Sequence, residues 1–258
     1  MAPKGREIAN EIYDSLDRLC PKNWKSTKKH FCYYPLKPSK FLIIMQNAKN
    51  LSTSRNKEEI KDYNQIKPGD IDSYIDTSKK WLKTWMIRKG NCKFFNKFFK
   101  LLSNYHLIDY PGTLENFLKD DTPGNFFELF SVTDASKCRS STSDLMPTCF
   151  TNYEEYVERE IELVKPDLIF SFGSWTWEWG IFPRYKSRLK IISEDGGQNQ
   201  KKVTKVHGYL FKHDGYPCFY IIPLAHLSQR MVNFYLRDSY FFYLKKGLET
   251  YSKFTRAH

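Results

Sequence analysis

Three apolar runs lie far apart in the chain, and each ends in a few polar residues. They are Phe41–Asn50, Phe130–Arg139 and Ile221–Arg230. The polar ends carry Gln46 and Asn47, then Asp134, then His226. An ionised carboxylate only accepts hydrogen bonds, an amide both donates and accepts, and an imidazole donates through a ring N–H. A donor aimed at developing negative charge lowers a reaction barrier by a few kcal/mol. An amide cannot act as a strong base, but it can hold a water in a reactive orientation. In an open α/β sheet the ligand crevice lies outside the carboxyl ends of the strands. Asn47, Asp134 and His226 all fall at such ends, which is the physical reason to treat them as one site.

The elements that must position them follow from the hydrophobic pattern. Residues 7–20 put Ile8, Ile12, Leu16 and Leu19 on one helical face, and Pro21 stops that helix. Residues 22–40 are basic and irregular. Phe41–Gln46 is a continuous apolar run, as in a parallel strand buried on both faces. Residues 51–80 are polar and read as a surface loop with short helical pieces. Residues 81–104 carry Trp81, Trp85, Phe94, Phe95, Phe98, Phe99 and Leu102, a pattern for a core-facing helix after Gly90. A short helix is expected over 114–119 and a strand over 130–135. An amphipathic helix over 153–164 ends at Pro166, and a strand over 167–172 closes at Gly173. Residues 184–206 read as a hairpin or loop, 219–224 as a fourth strand and 228–254 as a long aromatic-rich helix. Alternating strands and helices predict a three-layer α/β/α fold with a central, mostly parallel four-stranded sheet. The whole of 1–258 reads as one domain, with 1–40 as an N-terminal helix and basic extension packed on it.

Composition bounds the partners. Forty-one Lys and Arg stand against 29 Asp and Glu, a formal charge of +12, which suits a polyanion. Basic clusters at 22–29, 184–190 and 200–205 are candidates to track DNA, or else are solvated surface. The start, Met1-Ala-Pro-Lys-Gly-Arg6, is charged and no apolar run follows it, so no signal peptide is expected. No segment approaches the ~20 apolar residues that span a bilayer. The six cysteines are scattered without a CxxC pair, which predicts reduced thiols in a cytoplasmic protein.

Taken in order, the motifs resemble those of the uracil-DNA glycosylase superfamily. Phe130–Arg139 resembles the "VYITNVVKCRP" stretch of its thermophilic iron–sulfur branch, and Glu160–Gly173 resembles that branch's "QIxLIRPKVIVTLG". His207-Gly208 followed by His226–Arg230 resembles its "G…YHPSYLLR". The first motif, Met45–Lys49, departs from "GEAPG" but puts Asn47 where the mismatch-specific and single-strand-selective branches have asparagine. Met45 and Lys49 replace the usual glycines, and Leu227 the usual proline. Together the motifs cover about half the chain.

The resemblance implies a monofunctional DNA glycosylase that flips out a nucleotide and hydrolyses its N-glycosidic bond. Asn47 and His226 would be the catalytic pair, one placing the water and the other donating to the base carbonyl. Asp134, Gln46 and Phe94 would recognise the base, with Trp85 and Phe95 as further stacking candidates. Lys49, Ser174, Ser228, Arg230 and Leu227 would contact DNA, Leu227, Gln229, Arg230 or Met231 being candidates for the wedge. Asp134 stands where most of the superfamily has an asparagine that reads uracil. A carboxylate repels the uracil carbonyl and accepts from the amine of a cytosine-type base. Ordinary cytosine cannot be the target, so a modified cytosine in phage DNA is the favoured substrate. This is the niche of the anti-phage, replication-inhibiting glycosylases. The bland reading is that Asp134 caps a helix or pairs with Lys137 or Arg139. Uracil repair and a catalytically inactive DNA-binding module are the alternative functions. No metal or cofactor is expected; an irregular site of Cys20, Cys32, Cys138 and Cys149 is the weaker reading. DNA, single- or double-stranded, is the expected partner of a monomer.

Overall fold

The computed structural model describes residues 3–19, 33–47, 57–121, 123–137, 148–192, 200–226 and 238–256. In chain order the elements begin with α1 (Pro3–Leu19), β1 (Phe41–Asn47), α2 (Lys57–Gln65), α3 (Ile71–Ile87) and α4 (Lys89–Asn104). They continue with α5 (Leu114–Phe117), α6 (Phe126–Leu129), β2 (Phe130–Ser136), α7 (Thr148–Thr151) and α8 (Glu154–Val164). After β3 (Leu168–Phe172) comes a π-helical segment (Thr176–Ile181), then α9 (Phe182–Tyr185) and β4 (Leu189–Ile191). Last are α10 (Val203–Val206), β5 (Phe211–His213), β6 (Phe219–Leu224) and α11 (Asp238–Arg256).

The described strands form one six-stranded sheet in the order β2-β1-β3-β6-β5-β4. The first four are parallel, and β5 and β4 add an antiparallel edge. The expected four-stranded sheet is therefore corrected to a six-stranded mixed one. Residues 184–206 are not a local hairpin, because β4 pairs with β5, twenty or more residues on: Leu189 opposite His213 and Ile191 opposite Phe211. A three-residue edge strand with one buried position carries too little alternation to be read from sequence.

Strand residues alternate between two cores, one on each face. Leu42, Ile44 and Ile169 belong to a cluster with Ile8, Ile12 and Leu16 of α1, Tyr74 of α3, Ile161 of α8 and Trp177. Phe41, Ile43, Phe170 and Ile222 belong to a second cluster with Phe94, Phe98 and Phe99 of α4 and Tyr240, Leu244 and Leu248 of α11. Helices thus cover both faces of an apolar sheet, as burial of parallel strands requires.

The 51–80 region also departs from expectation. It holds α2 and the start of a 17-residue α3, with Ile71, Tyr74, Ile75, Ser78, Trp81, Leu82 and Met86 buried. Asp70 caps α3 by accepting from the Ser73 N–H at 3.1 Å. Lys, Asp and Ser between the buried positions masked the period. The aromatic helix α4 begins at Lys89, without waiting for Gly90. The C-terminal helix is seen from Asp238; residues 228–237 lie outside the described residues.

Candidate active site

Register fixes which polar residues share the carboxyl ends of the parallel strands. Met45 of β1 lies opposite Asp134 of β2, and Asn47 opposite Ser136. Asp134 is 1% exposed and continues the row of Phe130 and Val132, so it points to the α4/α11 face. Beside it lies an apolar crevice lined by Met45, Trp85, Phe95, Val132 and Phe172. Ser136 is fully buried, and its hydroxyl has no hydrogen-bond partner among the described residues.

Gly173, at the end of β3, joins two of these ends. Its φ of +106° is open to glycine and strained for other residues. A methyl group there would come within 2.8 Å of Gln46 Oε1 and 3.2 Å of His226 Cδ2. Gln46 and His226 therefore both rest against a backbone that has no side chain to hold them off. The Gly173 N–H donates to the Leu224 carbonyl at 2.8 Å, locking the end of β3 to that of β6. Ser174 follows, half-buried, at the start of the helical run that passes into the π-helical segment. Such segments recur at functional sites.

His226 is held through its neighbour. The Ala225 N–H donates to His207 Nδ1 at 3.1 Å, and the Tyr240 hydroxyl donates to the Ala225 carbonyl at 3.3 Å. His207 Nε2–H donates in turn to the Tyr240 carbonyl at 3.2 Å, and the two rings pack at 4.2 Å. Both bonds require a neutral imidazole protonated on Nε2. Burial lowers the His207 pKa to about 4. Burial also lowers that of His226, which favours the neutral imidazole there too. Gly208 makes the packing possible: at φ +79° its missing side chain would strike the Tyr243 backbone at 2.5 Å.

The other end of the site is tied down by a buried ion pair. The Lys137 ammonium and the Glu160 carboxylate are both 0% exposed and 2.8 Å apart. Lys137 also donates to Thr133 Oγ1 at 2.5 Å and to the Asp134 carbonyl at 2.6 Å, and Thr133 donates to Glu160 at 2.8 Å. Burial pushes the Glu160 carboxyl up, and the Lys137 charge and the Thr133 hydroxyl oppose it. Tyr33, whose phenol burial and Glu160 push well above its usual range, closes the network, with the ammonium 5.7 Å from its ring. Lys137 thus serves the backbone of Asp134 and the carboxylate of Glu160.

The expected site residues divide clearly. Gln46 and His226 meet at Gly173, and Asp134 lies buried at the same end of the sheet. Asn47 is the last residue of β1. Phe94 is 3% exposed and packs edge-on against Phe95, Phe172 and Tyr240, so it is a core residue in this conformation. Of the three aromatic candidates, Trp85 is the one that is part-exposed and lines the crevice. Lys49, Leu227, Ser228, Gln229, Arg230 and Met231 lie outside the described residues, as do Arg139, Cys20, Cys32 and Cys138. Cys149 is buried in the core. His207, Tyr240 and Glu160 were not singled out by role, and Lys137 was weighed only as a partner of Asp134, whose carbonyl rather than carboxylate it meets while pairing with Glu160. Only the His207-Gly208 pair carried a sequence signal; a buried lysine looks like any other in sequence.

A second cleft opens at the opposite end of the sheet, lined by Lys40, Tyr105, His106, Asp167, Tyr220 and Tyr251. It lies at the amino ends of the strands, where open α/β sheets do not form their ligand crevice. Among the described residues no group of three His, Cys, Asp or Glu is arranged to hold a metal, and no helix is long and apolar enough to cross a membrane. No protein-family model matches the sequence, and no curated protein matches it significantly.

Proposed function

We propose that this protein is a monofunctional DNA glycosylase acting on a modified cytosine. The observation that carries the reading is the gathering of polar side chains at the carboxyl ends of the parallel strands, Asp134 on the α4/α11 side and Gln46 on the α1/α8 side. A buried carboxylate, Asp134, stands on one flank, and Gln46 and His226 close on Gly173 toward the other. With β1 and β3 between them, β2 and β6 lie roughly 14 Å apart at the usual strand spacing. In this reading the flipped base lies between them. The crevice of Met45, Trp85 and Phe172 offers it an apolar face.

In this reading Asp134 accepts from the exocyclic amine of the flipped base. Its burial makes discrimination strong, since a carbonyl in place of the amine leaves acceptor facing acceptor, at about 1–3 kcal/mol or more. His226, kept neutral, donates to the base carbonyl as negative charge grows on the leaving ring. The glycosidic bond breaks with its electron pair going to the base. A water oriented by Asn47 adds its oxygen to the sugar carbon and gives up a proton, leaving an abasic site and the free base. Lys137 and Glu160 hold the Asp134 backbone, and His207 and Tyr240 hold that of His226.

The test is abasic-site formation by purified protein on matched DNAs carrying uracil, cytosine, hydroxymethylcytosine or glucosylated hydroxymethylcytosine. Cleavage confined to the modified cytosines is the expected result. Cleavage confined to uracil makes the protein a repair enzyme and overturns the role given to Asp134. No cleavage of any of the four overturns the enzymatic reading in favour of a binding module.

A further inference from the structure

The four lysines of α4, Lys89, Lys93, Lys97 and Lys100, are spaced by four, four and three residues, and the helix carries no acid. That spacing puts them along one side, while Phe94, Phe95, Phe98, Phe99 and Leu102 fill the core on the other. α11 packs against the same stretch, Phe94 meeting Tyr240 and Phe241, and the Lys97 ammonium lies 4.6 Å from the Phe241 ring. Over Tyr240–Leu248 α11 also has no acid, and it carries Lys245 and Lys246. Two neighbouring rings stand out from it, Phe242 at 52% and Tyr243 at 44% exposure, with Lys246 5.0 Å from the Phe242 ring. Lys89, Lys93, Lys100 and Lys245 have no carboxylate within ion-pair distance among the described residues.

Most exposed lysines on a folded domain alternate with acids. Here α4 and the Tyr240–Leu248 stretch of α11 carry lysines with no acid between them in sequence, and two large rings lie open to water beside them. Exposed rings flanked by cations suit a ligand that combines negative charge with flat apolar faces. Single-stranded nucleic acid has both, since its phosphates can meet lysines while unpaired bases stack on rings. A duplex hides its base faces, so it can use the lysines and not the rings. The direction of the helices adds to this. Phe94 meets Phe172 near the carboxyl end of β3, whereas Phe99 meets Phe130 at the start of β2. Tyr240 reaches Ala225, whereas Tyr251 meets Tyr220. Both helices therefore start at the candidate-site end and run away from it, with Lys93, Phe242 and Tyr243 in their first halves and Lys97 at the middle of α4.

We propose that this face of α4 and α11 binds the single strand of DNA that flanks the nucleotide held at the site. The assignment of the strand rests on the glycosylase reading; the affinity of the face for single-stranded nucleic acid does not. Fluorescence anisotropy of a labelled oligo-dT, which carries no target base, measures it separately from excision. The variants are Phe242→Ala/Tyr243→Ala and Lys93→Gln/Lys97→Gln, with circular dichroism checking that each is folded. The aromatic variant should lose roughly tenfold or more in affinity for oligo-dT while its affinity for a matched duplex stays within about twofold. The lysine variant should bind both more weakly, with the salt dependence of oligo-dT binding reduced by about one to two charges. Unchanged oligo-dT binding by both folded variants overturns the proposal. Equal loss on duplex and single strand by the aromatic variant overturns the single-strand assignment. A wild-type protein that binds oligo-dT through this face yet excises no base leaves the surface standing and removes the glycosylase reading.

Discussion

At the scale of single residues, Gly173 and His226 carry the sharpest expectations. Gly173→Ala places a methyl group against Gln46 and His226 on a backbone with positive φ, so it should cost about 1–3 kcal/mol of stability and displace both side chains. Thermal unfolding with excision rates checks it; a variant as stable and active as wild type contradicts the close packing described. On the proposed function, His226→Ala removes a donor aimed at developing charge and should lower the single-turnover excision rate by about 10²–10³ with little change in DNA affinity. Asn47→Ala should act in the same direction through the water. The strand-end residues were legible because a continuous apolar run followed by polar residues marks both the strand and its end. Phe94 is buried against Tyr240 and Phe172, a packing the sequence could not show, because a ring at helical spacing looks the same whether it faces a ligand or the core. Sequence gives the period, not what the other helix presents.

At the scale of elements, two buried polar devices hold β2 and β6 in place. Lys137→Met leaves the Glu160 carboxylate buried without its counter-ion, which should cost about 3–5 kcal/mol. The double change Lys137→Met/Glu160→Leu removes both charges and should recover much of that loss. A double-mutant cycle by urea denaturation measures the coupling; additive effects would contradict the network. The four parallel strands and α8 were read close to their bounds, the strands as apolar runs ending in polar residues or Gly173 and α8 as an amphipathic period before Pro166, while α1 starts four residues earlier than its pattern suggested. The antiparallel edge was not, because β4 and β5 are three residues each and their pairing joins residues twenty or more positions apart. Nor was the pairing of Lys137 with Glu160. Twenty-three positions separate them, and only the packing of α8 beneath β2 brings the charges together.

At the scale of the whole molecule, acid should unfold this protein through His207. Its folded pKa of about 4 lies below the usual 6.5, so the unfolded chain takes up the proton first as pH falls. Its stabilising contribution is present in full above pH 6.5 and is lost between there and about pH 4, on the order of 3 kcal/mol in all. His207→Asn should flatten that part of the stability–pH curve; an unchanged curve would show that His207 is not the responsible group. With a formal charge of +12, the DNA affinity that the proposed function requires should fall with salt, so the comparisons belong at one ionic strength. The central claim is that the Asp134 carboxylate selects the base. Single-turnover excision of hydroxymethylcytosine and of uracil, by wild type and by Asp134→Asn, tests it most directly. The account predicts that wild type prefers the cytosine base and that the amide variant shifts the ratio toward uracil by at least about tenfold, as a mispaired buried acceptor requires. The same base preference in both proteins would contradict it.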